Sequence, residues 1–232
     1  KVNYFFVCDK LHKNIISKFI SSKFIINGLT KNNEVSVNFK KKKYDLMIIS
    51  EYRNLPKNHF YTKCIEFIAN MISKYAEINN LKVLVALNSS REEKNKLNRS
   101  SEIIFFKKIS SKFHFNSENS YQNAEISKLN ICLASNLGAD LLARGHKVLF
   151  LPFLANYSDK YKSMYLIKNS EFIHKEENPK EIYKKIDKLL NIKEKDWKNI
   201  LMKSKIKFIF DKGNKLMKKI IRNIIEDDRK YS

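Results

Sequence analysis

Residues 121–153 read YQNAEISKLNICLASNLGADLLARGHKVLFLPF, and this stretch decides the fold. It alternates segments with helical spacing of apolar residues and short continuous apolar runs, which are typical of buried strands. The segments are a helix over 121–127, a strand over 129–134, a helix over 137–144 and a strand over 147–151. This order predicts two parallel strands joined by a crossover helix.

The same alternation extends outward from this stretch. Further apolar runs at 44–50 and 81–87 predict strands buried on both faces, as in a parallel sheet. A short strand is predicted at 103–106, and Asn58 is predicted to cap an amphipathic helix over 60–75. Amphipathic helices are predicted at 179–190, 196–210 and 215–228. The predicted fold class is α/β, a Rossmann-like parallel sheet with helices on both faces and further helices at the C-terminal end.

The charge of the chain is strongly basic, with a formal net charge of +22. Only six of its 46 basic residues are Arg, whereas recognition of bases and phosphates favours the Arg guanidinium. The charge pattern therefore argues against nucleic-acid binding and favours anionic lipid or an anionic substrate. Because no apolar stretch reaches the roughly 18–20 residues that cross a bilayer, we expect a cytoplasmic protein, and a peripheral position at the inner membrane stays open.

Polar clusters follow three of the predicted strands. They are Ser50-Glu51-Tyr52-Arg53, Asn88-Ser89-Ser90-Arg91 and Ser135-Asn136-Leu137-Gly138. Ligands of open α/β sheets bind beyond the carboxyl ends of the strands. We therefore expect the three clusters to converge on one crevice.

The third cluster has the pattern of an anion-binding helix start. Asn136 is predicted to cap the helix, and Gly138, which has no Cβ, would let a ligand approach its first turn. The unpaired N–H groups and positive dipole end would then face an anion. Asp140 lies in this first turn and Arg144 one turn further. An ordinary capped helix, with Gly138 present for packing, stays open as the alternative.

The motif at residues 135–148, SNLGADLLARGHKV, carries a family resemblance. It is similar to S-T-L-G-x-E-x-L-A-R-G-x-K-V in the nucleotide-binding half of GT-B glycosyltransferases of bacterial surface carbohydrate synthesis. Capsule-type Kdo transferases and some sialyl- and polysialyltransferases are also similar. The resemblance covers residues 119–154 well and residues 44–118 more faintly.

The resemblance implies a set of donor-binding residues. The donor phosphate loop would be Ser135, Asn136, Leu137 and Gly138, with Asp140 where many relatives have Glu and Arg144 bracing the helix or pairing with a phosphate. Asn136 stands in place of the usual Thr, and Asp140 is one methylene shorter than Glu. The implied substrate is a nucleotide sugar, with CMP-linked acidic sugars favoured, and no bound cofactor or metal is implied.

The resemblance also implies a domain organisation. Residues 1–43 would be a partial or reduced acceptor-side region, residues 44–192 the Rossmann-like nucleotide-sugar-binding domain of the GT-B C-terminal type, and residues 193–232 C-terminal helices. The 43 residues before the first strand of the donor domain are too few for a full acceptor domain. Missing upstream sequence, a reduced acceptor half and loss of catalysis all stay open as explanations.

Glu51 is the candidate catalytic base, because it ends a buried strand beside Arg53. A structural Glu–Arg pair or a solvated loop residue is the alternative. Arg53 and Arg91 are predicted to clamp an anionic donor or acceptor, with ordinary surface Arg residues as the alternative. Asn88, Ser89 and Ser90 are predicted to contact the donor as well. The predicted site includes no metal ligands, since no His, Cys or acidic cluster has metal-ligand spacing.

The leading interpretation is a glycosyltransferase that transfers a sugar from a nucleotide donor to a surface polysaccharide. Two alternatives stay open. The chain would be a non-catalytic α/β binding module on anionic membrane or glycan, or, from its charge alone, a nucleic-acid-binding protein.

Overall fold

The computed structural model describes residues 4–7, 10–37, 41–88, 96–116, 118–157, 170–204 and 209–228. The strands are β1 Tyr4–Val7, β2 Lys23–Ile26, β3 Tyr44–Ile49, β4 Val83–Ala86, β5 Ser127–Cys132 and β6 Val148–Phe150. The helices are α1 Lys10–Ile16, α2 Thr30–Glu34, α3 Phe60–Ile78, α4 Lys96–Ile109, α5 Ser120–Glu125, α6 Asn136–Ala143, α7 Pro179–Asn191, α8 Glu194–Lys203 and α9 Lys215–Asp228. A 3₁₀ turn, Phe153–Asn156, follows β6.

The larger of two compact units comprises residues 37–200. Its four strands form one sheet in the order β4-β3-β5-β6, and every neighbouring pair is parallel. The predicted parallel sheet and the helices that alternate with it are thus confirmed. The chain moves outward from β3 to β4 and then returns to the other side of β3, so the strand order reverses between β3 and β5. We call this position the switch point.

The strands of this unit form where apolar residues run without interruption. All four residues of β4 and the last four of β3 are buried, as expected for a parallel sheet covered on both faces. The helix α3 covers the sheet with an apolar stripe spaced at three and four residues. Its N-cap is His59 and not the predicted Asn58, because the His59 ring nitrogen Nδ1 accepts a hydrogen bond from the Tyr61 amide at 3.2 Å.

The predicted strand at 103–106 is wrong, because these residues belong to α4. Glu102 and Phe106 are fully buried, whereas Ile104 is 53% exposed. Burial thus recurs after four residues, which is the helical period, and a four-residue apolar run does not distinguish helix from strand. The predicted helix at 196–210 is shorter than expected, because α8 ends at Lys203.

The smaller unit combines residues 1–36 with residues 201–232. Its sheet is the parallel pair β1 and β2. The side-chain amide of Asn33 donates to the Asn27 carbonyl at 2.8 Å and to Asn214 Oδ1 at 2.9 Å. This buried amide network joins the loop after β2 to the segment that precedes α9. The predicted domain boundaries at residues 43/44 and 192/193 stay predictions.

Candidate active site at the carboxyl edge of the sheet

The switch point is where a doubly wound sheet opens a crevice, because the connections on either side of it lead away in opposite directions. Residues 50–53 follow β3 and residues 133–136 follow β5, so they border the crevice. Asn88 follows β4 at the same edge. The structure therefore brings the described parts of the three polar clusters to one edge, while Ser89, Ser90 and Arg91 lie outside the described residues.

Hydrogen bonds join the end of β4 to the end of β3. The Asn88 side chain donates from Nδ2 to the Tyr52 carbonyl at 3.1 Å. The Asn88 backbone amide donates to Glu102 Oε1 at 2.8 Å, and Glu102 is fully buried in α4. The Tyr52 amide in turn donates to Ser50 Oγ at 3.2 Å. Asn88 thereby links the end of β4 to α4 and to the segment that follows β3.

Glu51 joins the end of β3 to the end of β5 across the switch point. Its Oε1 accepts a hydrogen bond from the Ala134 amide at 3.0 Å. The Leu133 amide and the Tyr61 hydroxyl also donate to this carboxyl group. With several donors on one half-buried carboxyl group, Glu51 fixes the loop that leads into α6.

Desolvation raises the pKa of the Glu51 carboxyl to about 7, because the hydrogen bonds and the nearby charge of Arg53 offset burial only in part. A pKa near neutrality suits a general base. Arg53 lies with its guanidinium 4.4 Å from the centre of the Tyr61 ring, which fixes the cation above the aromatic face. A small cavity of about 10 Å³, enough for about one water molecule, is lined by Glu51, Ser50 and apolar core residues.

The raised pKa predicts a pH dependence of stability that Glu51→Gln removes. A carboxyl group with a higher pKa in the folded chain stabilises the fold while protonated. That contribution is complete below its ordinary pKa of 4.5 and is lost as the pH rises through about 7. We expect the melting temperature of the wild type to fall more than that of Glu51→Gln between pH 4.5 and 8. Thermal melts across this pH range measure the fall in melting temperature of each protein, with Glu66→Gln on the exposed face of α3 as control. Equal slopes for wild type and Glu51→Gln would contradict the assignment.

The start of α6 lies at the same edge, directly after β5. The N-cap is Ser135, whose Oγ accepts a hydrogen bond from the Leu137 amide at 3.2 Å, so the predicted capping by Asn136 is wrong. Asn136 is the first helical residue, and its side chain is exposed. The first turn of a helix carries amide groups without intrahelical partners and a positive dipole end. The positive end of α6, with the exposed Asn136 side chain, thus borders the switch point.

Gly138 has a packing role in this helix. A Cβ atom at this position would lie 2.7 Å from Cys132 Sγ and 2.9 Å from the Phe150 ring, both in the core. The missing side chain lets α6 approach β5 and β6 closely. The expectation that Gly138 makes room for a ligand is therefore replaced by the alternative, close packing of helix on sheet.

Asp140 and Arg144 lie where α6 packs against α5. The Tyr121 hydroxyl donates to Asp140 Oδ2 at 2.6 Å, and the Arg144 guanidinium lies 5.0 Å from the centre of the Tyr121 ring. Of the two roles implied for Arg144, bracing of the helix is the one that these contacts support. Asp140 is buried, so it shares this bracing role.

Four contributors at the site were missed by reasoning from the sequence: Tyr61, Glu102 and the backbone amides of Leu133 and Ala134. Glu102 was hidden by the wrong strand at 103–106, and an amide donor has no sequence signature. Tyr61 is the second residue of α3, where an aromatic residue usually belongs to the apolar stripe. Within the described residues, no group of three His, Cys, Asp or Glu side chains is placed to hold a metal ion.

Solved structures with the same architecture are known, at low sequence identity. The UDP-GlcNAc 2-epimerase of Methanocaldococcus jannaschii, solved with UDP-GlcNAc and UDP, has a TM-score of 0.55 and 15% identity and covers 95% of this chain. The wall teichoic acid polymerase TagF has a TM-score of 0.56, 12% identity and 99% coverage. The GtfA/B complex has a TM-score of 0.51, 10% identity and 96% coverage. These likenesses establish a GT-B-type fold, as the sequence predicted.

The chain spans 61%, 58% and 45% of the lengths of these three proteins. No curated protein sequence matches it significantly. The model of a family described as "putative O-antigen biosynthesis protein" matches residues 1–225 of the 232. The chain belongs to this O-antigen biosynthesis family.

Proposed function

We propose that the chain is a glycosyltransferase, or the donor-binding part of one. It would transfer a sugar from a nucleotide-sugar donor to the growing O-antigen or another surface polysaccharide. Membership of an O-antigen biosynthesis family and the GT-B-type fold support this proposal. Two structural relatives are named for nucleotide-sugar chemistry and polymer synthesis, an epimerase solved with UDP-GlcNAc and a teichoic acid polymerase.

The observation that carries the proposal is the position of the first turn of α6. This turn lies at the carboxyl edge of a parallel sheet, beside the switch point, and its first side chain is exposed. Helix N-termini at such positions bind phosphate groups through their amides and positive dipole end. The donor's phosphates would lie here, next to Ser135 and Asn136.

The reaction follows from these placements. The acceptor hydroxyl would attack the anomeric carbon of the donor, and the bond from that carbon to the phosphate oxygen would break. Glu51 is the proposed base for the hydroxyl proton, because its pKa of about 7 leaves a large carboxylate fraction at neutral pH. The leaving nucleotide would keep the bonding electrons, and the positive end of α6 would stabilise its charge without a metal ion. Arg53 and Arg91 are proposed contacts of the anionic donor.

The proposed donor class is a CMP-linked acidic sugar, with UDP- and GDP-sugars as the alternatives. The choice rests on the similarity of the 135–148 motif to Kdo and sialyl transferases. Thermal-shift measurements with CMP, UDP and GDP would rank them, since a ligand that binds only the folded chain raises its melting temperature.

The variant Asn136→Asp tests the phosphate site directly. A carboxylate at the start of a helix interacts favourably with its dipole, by about 0.3–1 kcal/mol, so the fold should be as stable as the wild type. The same charge would repel a bound phosphate. We expect nucleotide affinity to fall by about tenfold or more, which corresponds to ~1.4 kcal/mol. Isothermal titration calorimetry measures this affinity, with the nucleotide that gives the largest thermal shift as the ligand.

Asn70→Asp is the matched control, because it adds the same charge on the exposed face of α3 in mid-helix. It should leave nucleotide affinity unchanged. Unchanged affinity in Asn136→Asp as well, with a normal melting temperature, would rule out phosphate binding at this helix start.

A further inference from the structure

The helix α9, in the smaller unit, has a sharply divided surface. Its apolar side chains recur after one and then three residues and form one continuous stripe. They are Leu216, Met217, Ile220, Ile221, Ile224 and Ile225. The opposite side of the first two turns is basic, with Lys215, Lys218, Lys219 and Arg222. This division has the helical period, so both faces run along the helix axis.

The apolar stripe of α9 is only partly covered. None of the residues 215–226 is buried, and Met217, Ile220 and Ile224 are half-buried. Leu216 is 43% exposed, Ile221 39% and Ile225 48%. A surface helix of a globular protein normally buries such a stripe against the core. Leu216, Ile221 and Ile225 of this stripe are therefore available to a partner.

The charge pattern of α9 identifies the kind of partner. An interface between two proteins is depleted of Lys, whereas a helix that lies in the surface of a bilayer is rich in Lys and Arg on its polar face. Long basic side chains reach past the apolar stripe to the lipid headgroups. The acidic residues of α9, Glu226, Asp227 and Asp228, all lie in its last turn. The first two turns therefore carry the complementarity to an anionic surface.

We infer that α9 binds the surface of an anionic lipid bilayer, with the exposed side chains of its apolar stripe in the headgroup layer and its basic face toward the phosphates. The helix would lie in the plane of the membrane. Among the helices that the structure describes, none combines the length and the hydropathy of a membrane span. The inference is independent of the proposed donor site, and its test needs no nucleotide.

Vesicle co-sedimentation of the full chain tests the inference. We expect binding to vesicles of 70% phosphatidylcholine and 30% phosphatidylglycerol, weakening as salt is added, and at least tenfold weaker binding to pure phosphatidylcholine. The double variant Ile221→Ser/Ile225→Ser should lower binding at least tenfold. Lys218→Glu/Lys219→Glu should lower it as strongly at low salt. Because all four side chains are exposed, the melting temperatures of both variants should stay near that of the wild type.

Two controls make the outcome decisive. Lys63→Glu/Lys74→Glu reverses two exposed charges on α3, and Ile104→Ser removes an exposed apolar side chain from α4. If the control variants lost as much vesicle binding as the α9 variants, the inference would be overturned in favour of diffuse charge attraction. It would also be overturned if vesicles did not bind the wild type, or if the α9 variants split a dimer in sedimentation velocity and left vesicle binding unchanged.

Discussion

Replacing Gly138 by Asp is expected to unfold the larger unit, and not merely to remove a ligand contact. The new Cβ would lie 2.7 Å from Cys132 Sγ and 2.9 Å from the Phe150 ring, and both neighbours are buried in the core. Such overpacking alone costs about 1–3 kcal/mol. A carboxylate without a partner in this apolar setting adds several kcal/mol more. Because domains are stable by only about 5–15 kcal/mol, this single change removes much or all of the margin.

Gly138→Ala isolates the steric part of this effect. In an ordinary helix interior, Gly→Ala stabilises by up to about 1 kcal/mol, whereas here we expect destabilisation. Urea denaturation followed by circular dichroism measures whether the free energy of unfolding rises or falls. Cys132→Ala in the Gly138→Ala background should recover part of the loss, since it removes the nearer of the two neighbours. A Gly138→Ala variant that is more stable than the wild type would contradict the packing role.

Replacing Trp197 by Ala is expected to destabilise the larger unit by about 3–5 kcal/mol, the range for large aromatic side chains in a core. Trp197 is fully buried in α8, and its indole N–H donates to the Gly145 carbonyl at 2.8 Å. Its ring meets Phe172 edge-on, with 6.4 Å between the ring centres. The substitution thus removes apolar burial and leaves the carbonyl at the end of α6 without this donor.

Trp197→Phe separates the two contributions. It keeps most of the apolar volume and removes the indole N–H, so we expect a loss of about 1–3 kcal/mol from the unpaired carbonyl. Chemical denaturation monitored by circular dichroism compares the three proteins. Ile104→Ala is the control, because this side chain is 53% exposed and should change stability by less than about 0.5 kcal/mol. Equal stability of Trp197→Phe and wild type would show that the hydrogen bond contributes nothing.

The arrangement of the candidate site depends on loops that a sequence does not place. The sequence identified three polar clusters and their common edge, because parallel strands fix the direction of their carboxyl ends. It did not predict that Glu51 would bond to the Ala134 amide or that Asn88 would bond to the Tyr52 carbonyl. These bonds join residues 83 and 36 positions apart along the chain. Contacts between residues so far apart along the chain are set by the packing of the whole unit.

The sequence alone determined the alternation of strands and helices and hence the parallel α/β sheet. The three-and-four spacing along the 19 residues of α3 is a local pattern that fixes one kind of element. Tertiary structure decided where a local pattern permits two readings. The apolar run at 103–106 belongs to a helix, and its burial pattern has a period of four residues. Gly138 has a packing role because Cys132 and Phe150 lie against it. Local periodicity selects an element, and only the neighbours across the core select its register and the role of each residue.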